Sequence, residues 1–407
     1  MAASRRQFLT GIGGCAACMA GAANAYVLPT DLAPLVGEGY TPSDADERGI
    51  WQSLERIEES ISTSPQLLQA PQLHAYTVRV IERLVGRPAP ELRLYLMRNS
   101  AFNASMFPSG MMVVHTGLMA RVRSEAQYAA VLGHEAGHYF RKHTIQQYRS
   151  IRRKSAAMAV VGAAAGAAAG IASSGGSWIN AAYAINSALL LSVFQFSRED
   201  EAEADAYGIS LMARSGYSLT AAAEVWKQLI EERKASAEQR NKRYRDRSQS
   251  VLSTHPPSED RMTDLADTAA YLSSEEPRER ADGRAEWLAA IAPHRVQLLE
   301  EQVKLNDPGA SLYLVESLAT DGWNGVLRYQ EGEIYRMRAA DGDPAKAAAA
   351  YAASVALPDA PAEAWRAHGY SLLKAGKTAD ARDALNRYLA MSPDAKDAGV
   401  IRFTLTQ

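Results

Sequence analysis

Apolar residues along this chain fall into runs of two different periods. Between Ser124 and Ser150 no proline interrupts, and Ala129, Ala130, Val131, Leu132, Tyr139 and Phe140 return at helical spacing, which predicts one apolar helix. Just upstream, "FPSG" (Phe107 to Gly110) reads as a turn between a short strand and the apolar run Met111 to His115. A small β element beside a buried helix is the expectation.

Residues 156–196 are apolar in another way. "GAAAGAAAG" sets Gly162, Gly166 and Gly170 four apart, on one helix face where a backbone can approach closely. "SSGGS" then predicts a turn, and a second apolar helix runs through Leu189, Leu190 and Leu191. Each arm is near membrane-spanning length. Alanine and glycine are only weakly apolar, however, and Asn180 and Asn186 interrupt the second arm. The preferred reading is a packed helical hairpin that touches the membrane surface, with a transmembrane hairpin as the alternative.

The polar stretch "SSEEPRERADGR", Ser273 to Arg284, has the charge and proline content of a linker or connecting loop. It divides the chain into a first domain over 44–271 and an all-α tail over 286–407. In the tail, Trp365, Gly369, Leu372, Gly376, Ala381, Leu385, Tyr388 and Pro393 follow the spacing of a tetratricopeptide repeat. Gly342, Ala347 and Tyr351 stand 34 positions before Gly376, Ala381 and Leu385, so a degenerate copy lies upstream. Two repeats are short for a free-standing solenoid, and the tail is expected to lean on the first domain or on helices from Trp287 to Glu316.

Chemistry enters with "HEAGH", inside the predicted helix. His134 and His138 are four steps apart and so only about 40° apart around the axis, which lets both imidazoles face one ion. Glu135, one step round, can reach a water on that ion without ligating it. With 8 histidines in 407 residues, about 0.01 matches of this kind arise by chance. His143, nine steps from His134, should point away as a packing or surface residue. A catalytic zinc takes three protein ligands, and "SREDEAEADAYGI" offers a third. Glu201 could bind metal while Asp205, one turn later, hydrogen-bonds a ligand histidine; the same residues also read as an ordinary solvated acidic face.

HEAGH, followed by E-x-x-A-D and preceded by "FNASMFPSGMMVVHTGLM", resembles the HtpX-like zinc metallopeptidases, especially the periplasmic BepA-like members with a helical-repeat tail. The resemblance covers roughly residues 45 to 270 and, more loosely, the tail. It implies one zinc per chain held by His134, His138 and Glu201, with Glu135 as general base and Asp205 orienting a histidine. It also implies that an edge strand at Asn103 to Phe107 pairs with the substrate backbone, Asn103 and Ala104 being the candidate contacts; a hairpin with no substrate role is the plain alternative. "LSTHPPSEDRM" matches a T-H-P segment whose histidine, here His255, can close over the zinc, although Pro257 and Ser258 depart from the pattern.

"SRRQFLTGIGGCAACMAGAANA" resembles a twin-arginine export signal, with Arg5, Arg6 and a small-x-small site ending at Ala25, so residues 1–25 are expected to be removed. Cys15 as a lipoprotein cysteine is the alternative. Both cysteines lie in that signal, which leaves the mature chain without disulfides or thiolate ligands. Losing Arg5 and Arg6 and no acid takes the formal charge from −2 to −4. With no dense basic block, nucleic acid is excluded as a partner.

The expected fold is mainly α (α+β), a helical zinc-metallopeptidase domain with a small β-sheet followed by an all-α repeat domain. The expected function is a periplasmic, membrane-associated endopeptidase acting on envelope proteins in quality control, with the repeats recruiting a protein substrate or an envelope complex. A chaperone or scaffold with a vestigial metal site is the rival.

Overall fold

The computed structural model describes residues 34–37, 39–87, 91–153, 196–244 and 258–406. The export signal with Cys15, the glycine-spaced segment as far as residue 195, and His255 lie outside the described residues.

The first helices are set by their ends. α1 (Ala45–Ser62) starts where the Asp44 side chain accepts from the Glu47 amide, and α2 (Pro71–Val85) starts on proline and stops at Gly86, whose φ of 73° is left-handed. A three-stranded sheet follows, of β1 (Arg93–Met97), β2 (Ala104–Met106) and β3 (Met111–His115), in the order β1-β3-β2. β3 pairs parallel with β1 and antiparallel with β2, so β2 is an edge. The Phe107–Gly110 turn closes through the Gly110 amide to the Phe107 carbonyl at 2.9 Å, with Gly110 at φ 83°.

After α3 (Thr116–Arg121) comes the central element, α4 (Glu125–Phe140), capped by Ser124; all 16 of its residues are buried. Such a helix must be covered on every side. α2, α6 (Arg198–Ser215), α7 (Thr220–Gln239) and β2 supply the cover. A buried Glu125 at its first turn accepts from Tyr76 Oη (2.5 Å), Tyr217 Oη (2.7 Å) and Arg83 (3.1 Å), which satisfies the charge where the helix N-terminus favours it. α4 does not run on to Ser150. It ends at Phe140, Lys142 takes a left-handed φ of 57°, and a separate helix, α5, starts at His143 and covers the described residues up to 153.

α8 (Glu259–Glu275) closes the body, and the polar stretch after it is docked against that body. Ala281 exchanges backbone hydrogen bonds with Gly216 and Ser218 (2.8 and 2.9 Å), and the Ala126 amide donates to the Asp282 carbonyl at 2.9 Å. Most of its side chains stay in water while its backbone pairs, but the Arg280 side chain is buried and donates to the Ala213 carbonyl at 3.0 Å. α9 (Arg284–Ile291) then puts Trp287 into the first core, fully buried, with Nε1 donating to the Val122 carbonyl and its ring 4.8 Å from Tyr128. That core extends through Ile291 to Leu298 on α10 (Arg295–Val303).

Beyond it α11 (Pro308–Leu318), α12 (Gly325–Arg338), α13 (Asp343–Val355), α14 (Ala362–Lys374), α15 (Thr378–Met391) and α16 (Ala398–Thr406) form successive hairpins, each with a small core of its own. Two glycines allow close crossings between these helices: a Cβ on Gly332 would lie 2.4 Å from the Tyr351 ring, and one on Gly369 2.7 Å from Leu385. A buried hydrogen bond ties tail to body, because Arg121 on α3, paired with Glu232 on α7 at 2.7 Å, also donates to Gln302 on α10 at 2.7 Å. Among the described residues no helix is long and apolar enough to cross a membrane.

Candidate metal centre

The centre forms where α4 and α6 cross. Gly133 and Gly137 face Gly208 and Ala204; a Cβ on Gly137 would come within 2.8 Å of the Ala204 carbonyl, and one on Gly208 within 2.8 Å of the His134 amide. Only side chains this small let the two backbones meet, and that approach carries Glu201 to the histidines.

Three donors converge there. His134 Nε2 and His138 Nε2 are 3.1 Å apart, and the Glu201 carboxylate lies 3.5 Å from the first and 3.6 Å from the second. A tetrahedral zinc with bonds near 2.0–2.1 Å separates its donors by about 3.3–3.4 Å. The three residues are buried and fit that ion, and they are the metal-capable His/Asp/Glu cluster among the described residues. Glu135 is buried beside them on the next face of α4.

Around the donors the side chains are fixed in turn. Asp205 Oδ1 lies 2.9 Å from His134 Nδ1, so with Nε2 turned to the metal position, Nδ1–H donates to the carboxylate. Sequence reasoning missed Arg261, on the first turn of α8. Its guanidinium binds Asp205 through Nε (2.5 Å) and Nη2 (2.7 Å), places Nη1 2.8 Å from Glu201, and lies 4.0 Å over the Trp226 ring. Burial alone would raise the Asp205 carboxyl, but Arg261 and His134 outweigh it and hold Asp205 at about 2. Burial pushes Arg261 down, and the carboxylates of Asp205 and Glu201 more than reverse it, leaving it raised. Phe196 stacks on His138 at 3.9 Å and Trp226 meets His134 edge-on at 6.1 Å, so aromatic rings wall the donors.

His143 corrects the sequence expectation. It does not point away: the left-handed step at Lys142 ends the helical register and swings the buried His143 back, with its Nδ1 2.9 Å from His138 Nδ1 and its Nε2 3.0 Å from Glu203. Asn103 and Ala104 stand at the start of edge strand β2, beside α4. Asn103 and Phe107 bond to β3 through backbone (His115 amide to the Asn103 carbonyl, 3.1 Å; Phe107 amide to the Met111 carbonyl, 2.8 Å). By strand alternation the backbone groups of Ala104 and Met106 are directed outward from β3.

Residues 67–269 match the model of peptidase family M48. The chain carries a peptidase family M48 domain. That domain holds every donor described above. The chain is 28% identical over 214 residues to the beta-barrel assembly-enhancing protease of Escherichia coli, covering 51% of this chain and 41% of that one. It is 28% identical over 265 residues to the protein of that name in Yersinia pestis (62% and 50%), and 29% identical over 190 residues to the mitochondrial metalloendopeptidase OMA1 of Schizosaccharomyces pombe (46% and 50%). The matches thus span about half or less of each relative's length. The M48 domain is a metallopeptidase domain, mainly helical with a small sheet, as the residue pattern predicted.

Proposed function

We propose that this chain is a zinc metalloendopeptidase that cleaves proteins of the bacterial envelope, one zinc being held by His134, His138 and Glu201. The observation that carries the reading is the set of three buried donors at zinc-ligand separations with Glu135 next to them. Zinc bound there supplies Lewis acidity, which brings a water's pKa toward neutrality and polarises a scissile carbonyl. Glu135 takes the proton of the attacking water and passes it to the leaving amine. Asp205 holds His134 in the tautomer that offers Nε2 to the metal, and Arg261 holds Asp205. The outward backbone of β2 at Ala104, with Asn103 at its start, receives an extended peptide as a further strand beside α4.

Envelope substrates and a periplasmic site of action are supported by the export-type residues 1–25 and by relatives named as beta-barrel assembly-enhancing proteases. The repeat-like hairpins of α12 to α16 are the surface for recruiting a substrate or an envelope complex. His255, six positions before Arg261 in sequence, is proposed as a fourth donor that closes the site; His255→Ala should keep zinc and increase cleavage, and unchanged cleavage would remove it from the account.

The reading is tested by incubating the purified, zinc-analysed chain with an unfolded protein and sequencing the product termini. Internal cleavage that stops on chelation and in Glu201→Gln is expected. A fully zinc-loaded chain that cleaves nothing would refute the peptidase assignment.

A further inference from the structure

The two histidine donors are supported from behind in different ways. His134 has a carboxylate directly on its Nδ1, Asp205 at 2.9 Å. His138 has an imidazole there, since His143 Nδ1 is 2.9 Å from His138 Nδ1. The rings are 4.9 Å apart and inclined at 76°, which sets an in-plane nitrogen of one toward the other. On its far side, His143 Nε2 is 3.0 Å from Glu203 Oε2, with Asp200 4.0 Å away. Glu203 is itself held by Arg141 Nε at 2.5 Å.

The proton positions follow from the metal end. With His138 Nε2 turned to the metal position, its Nδ1 carries the hydrogen and donates. His143 must then accept at Nδ1, and its one hydrogen sits on Nε2 and is donated to Glu203. The chain of donors therefore runs His138 to His143 to a carboxylate, with no conflict at any joint. The His143 side chain has no exposure to water, so water does not replace either bond.

Resting on the zinc reading above, we propose that His143 and Glu203 are positioning residues for His138: a relay that fixes its ring and strengthens it as a metal donor, doing through one imidazole what Asp205 does directly for His134. A packing histidine would need only shape. The left-handed φ of 57° at Lys142, a conformation that a side chain other than glycine or asparagine rarely adopts, is what brings His143 onto His138.

The experiment measures zinc affinity of the full chain by competition with a chromophoric chelator, together with the visible spectrum of the cobalt-substituted protein. Loss of an outer partner of a ligand histidine typically weakens metal binding about 10- to 100-fold. His143→Leu is expected to show that loss and an altered cobalt spectrum, with unchanged circular dichroism. His143→Asn, whose carbonyl oxygen sits near the Nδ1 position, should recover part of it. Glu203→Gln should weaken binding by a smaller factor.

Zinc binding in His143→Leu within about twofold of the parent, with the parent's cobalt spectrum, would overturn the relay. Should that variant fail to fold, Glu203→Gln decides, and unchanged affinity and spectrum there overturn it equally. A parent chain that binds no zinc would overturn the metalloenzyme reading as well, which separates the two failures.

Discussion

Replacing Arg261 with methionine tests the electrostatics of the site. Its guanidinium makes both bonds to Asp205 and lies against Glu201, all three groups being about nine-tenths buried. Methionine keeps much of the contact with Trp226 but leaves Asp205 without its cation. Breaking one side of a buried ion pair costs about 3–5 kcal/mol, because the remaining charge is stranded in a poorly solvated place. With metal removed, the variant should lose that much stability in denaturant unfolding. Saturating zinc brings positive charge to Glu201 and, through His134, nearer Asp205, so the deficit should shrink. Arg261→Lys should fall between, since an ammonium keeps the charge and gives up the two-pronged geometry. A deficit below about 1 kcal/mol in the chelated Arg261→Met protein would refute the compensating role.

At the helix crossing, Gly137→Val must force α4 from the Ala204 carbonyl; about 1–3 kcal/mol should be lost, and zinc affinity with it, as read by unfolding and metal competition. Retained affinity would mean Glu201 reaches the histidines without the close approach. A pH test falls on Glu47, which ties the start of α1 to Lys142 and Arg149: burial would raise its carboxyl, but hydrogen bonds from Tyr40 and Ser43 and the charge of Lys142 lower it from 4.5 to about 2. A carboxyl lowered on folding adds stability above its unfolded value and loses it as pH falls through its folded value. At about 1.4 kcal/mol per unit this is at most about 3.5 kcal/mol. Glu47→Gln should therefore be less stable than the parent above pH 4.5 and converge with it toward pH 2 in acid unfolding; a constant gap would contradict the assignment.

What the sequence disclosed follows the range of the interactions. The burial of α4 was readable because its apolar residues surround the axis, and the β turn because proline and glycine sit where a turn needs them. Helical spacing put His134 and His138 on one face, which is a local property. His143 was misplaced for the same reason: periodicity assumes an unbroken helix, and a left-handed Lys142 leaves no mark in residue type. Arg261 was invisible because an arginine among Ser258, Glu259 and Asp260 looks like part of a solvated helix start, and its partners are 56 residues or more away. A usable signal did exist at the crossing, in the four-residue spacings of Gly133 with Gly137 and Ala204 with Gly208. The docking of Ala281 and Asp282 could not be read, since it uses backbone bonds that any residues could make.

The central claim is that Glu135 acts as base beside a zinc held by His134, His138 and Glu201. The direct test is turnover of a defined peptide by parent and Glu135→Gln proteins whose zinc content has been measured in the same samples. Glutamine keeps the shape but cannot take the proton from water. Both proteins should carry one zinc per chain, and the variant's rate should fall about 10²- to 10⁴-fold. A zinc-loaded Glu135→Gln protein that turns over within a few-fold of the parent would contradict the account.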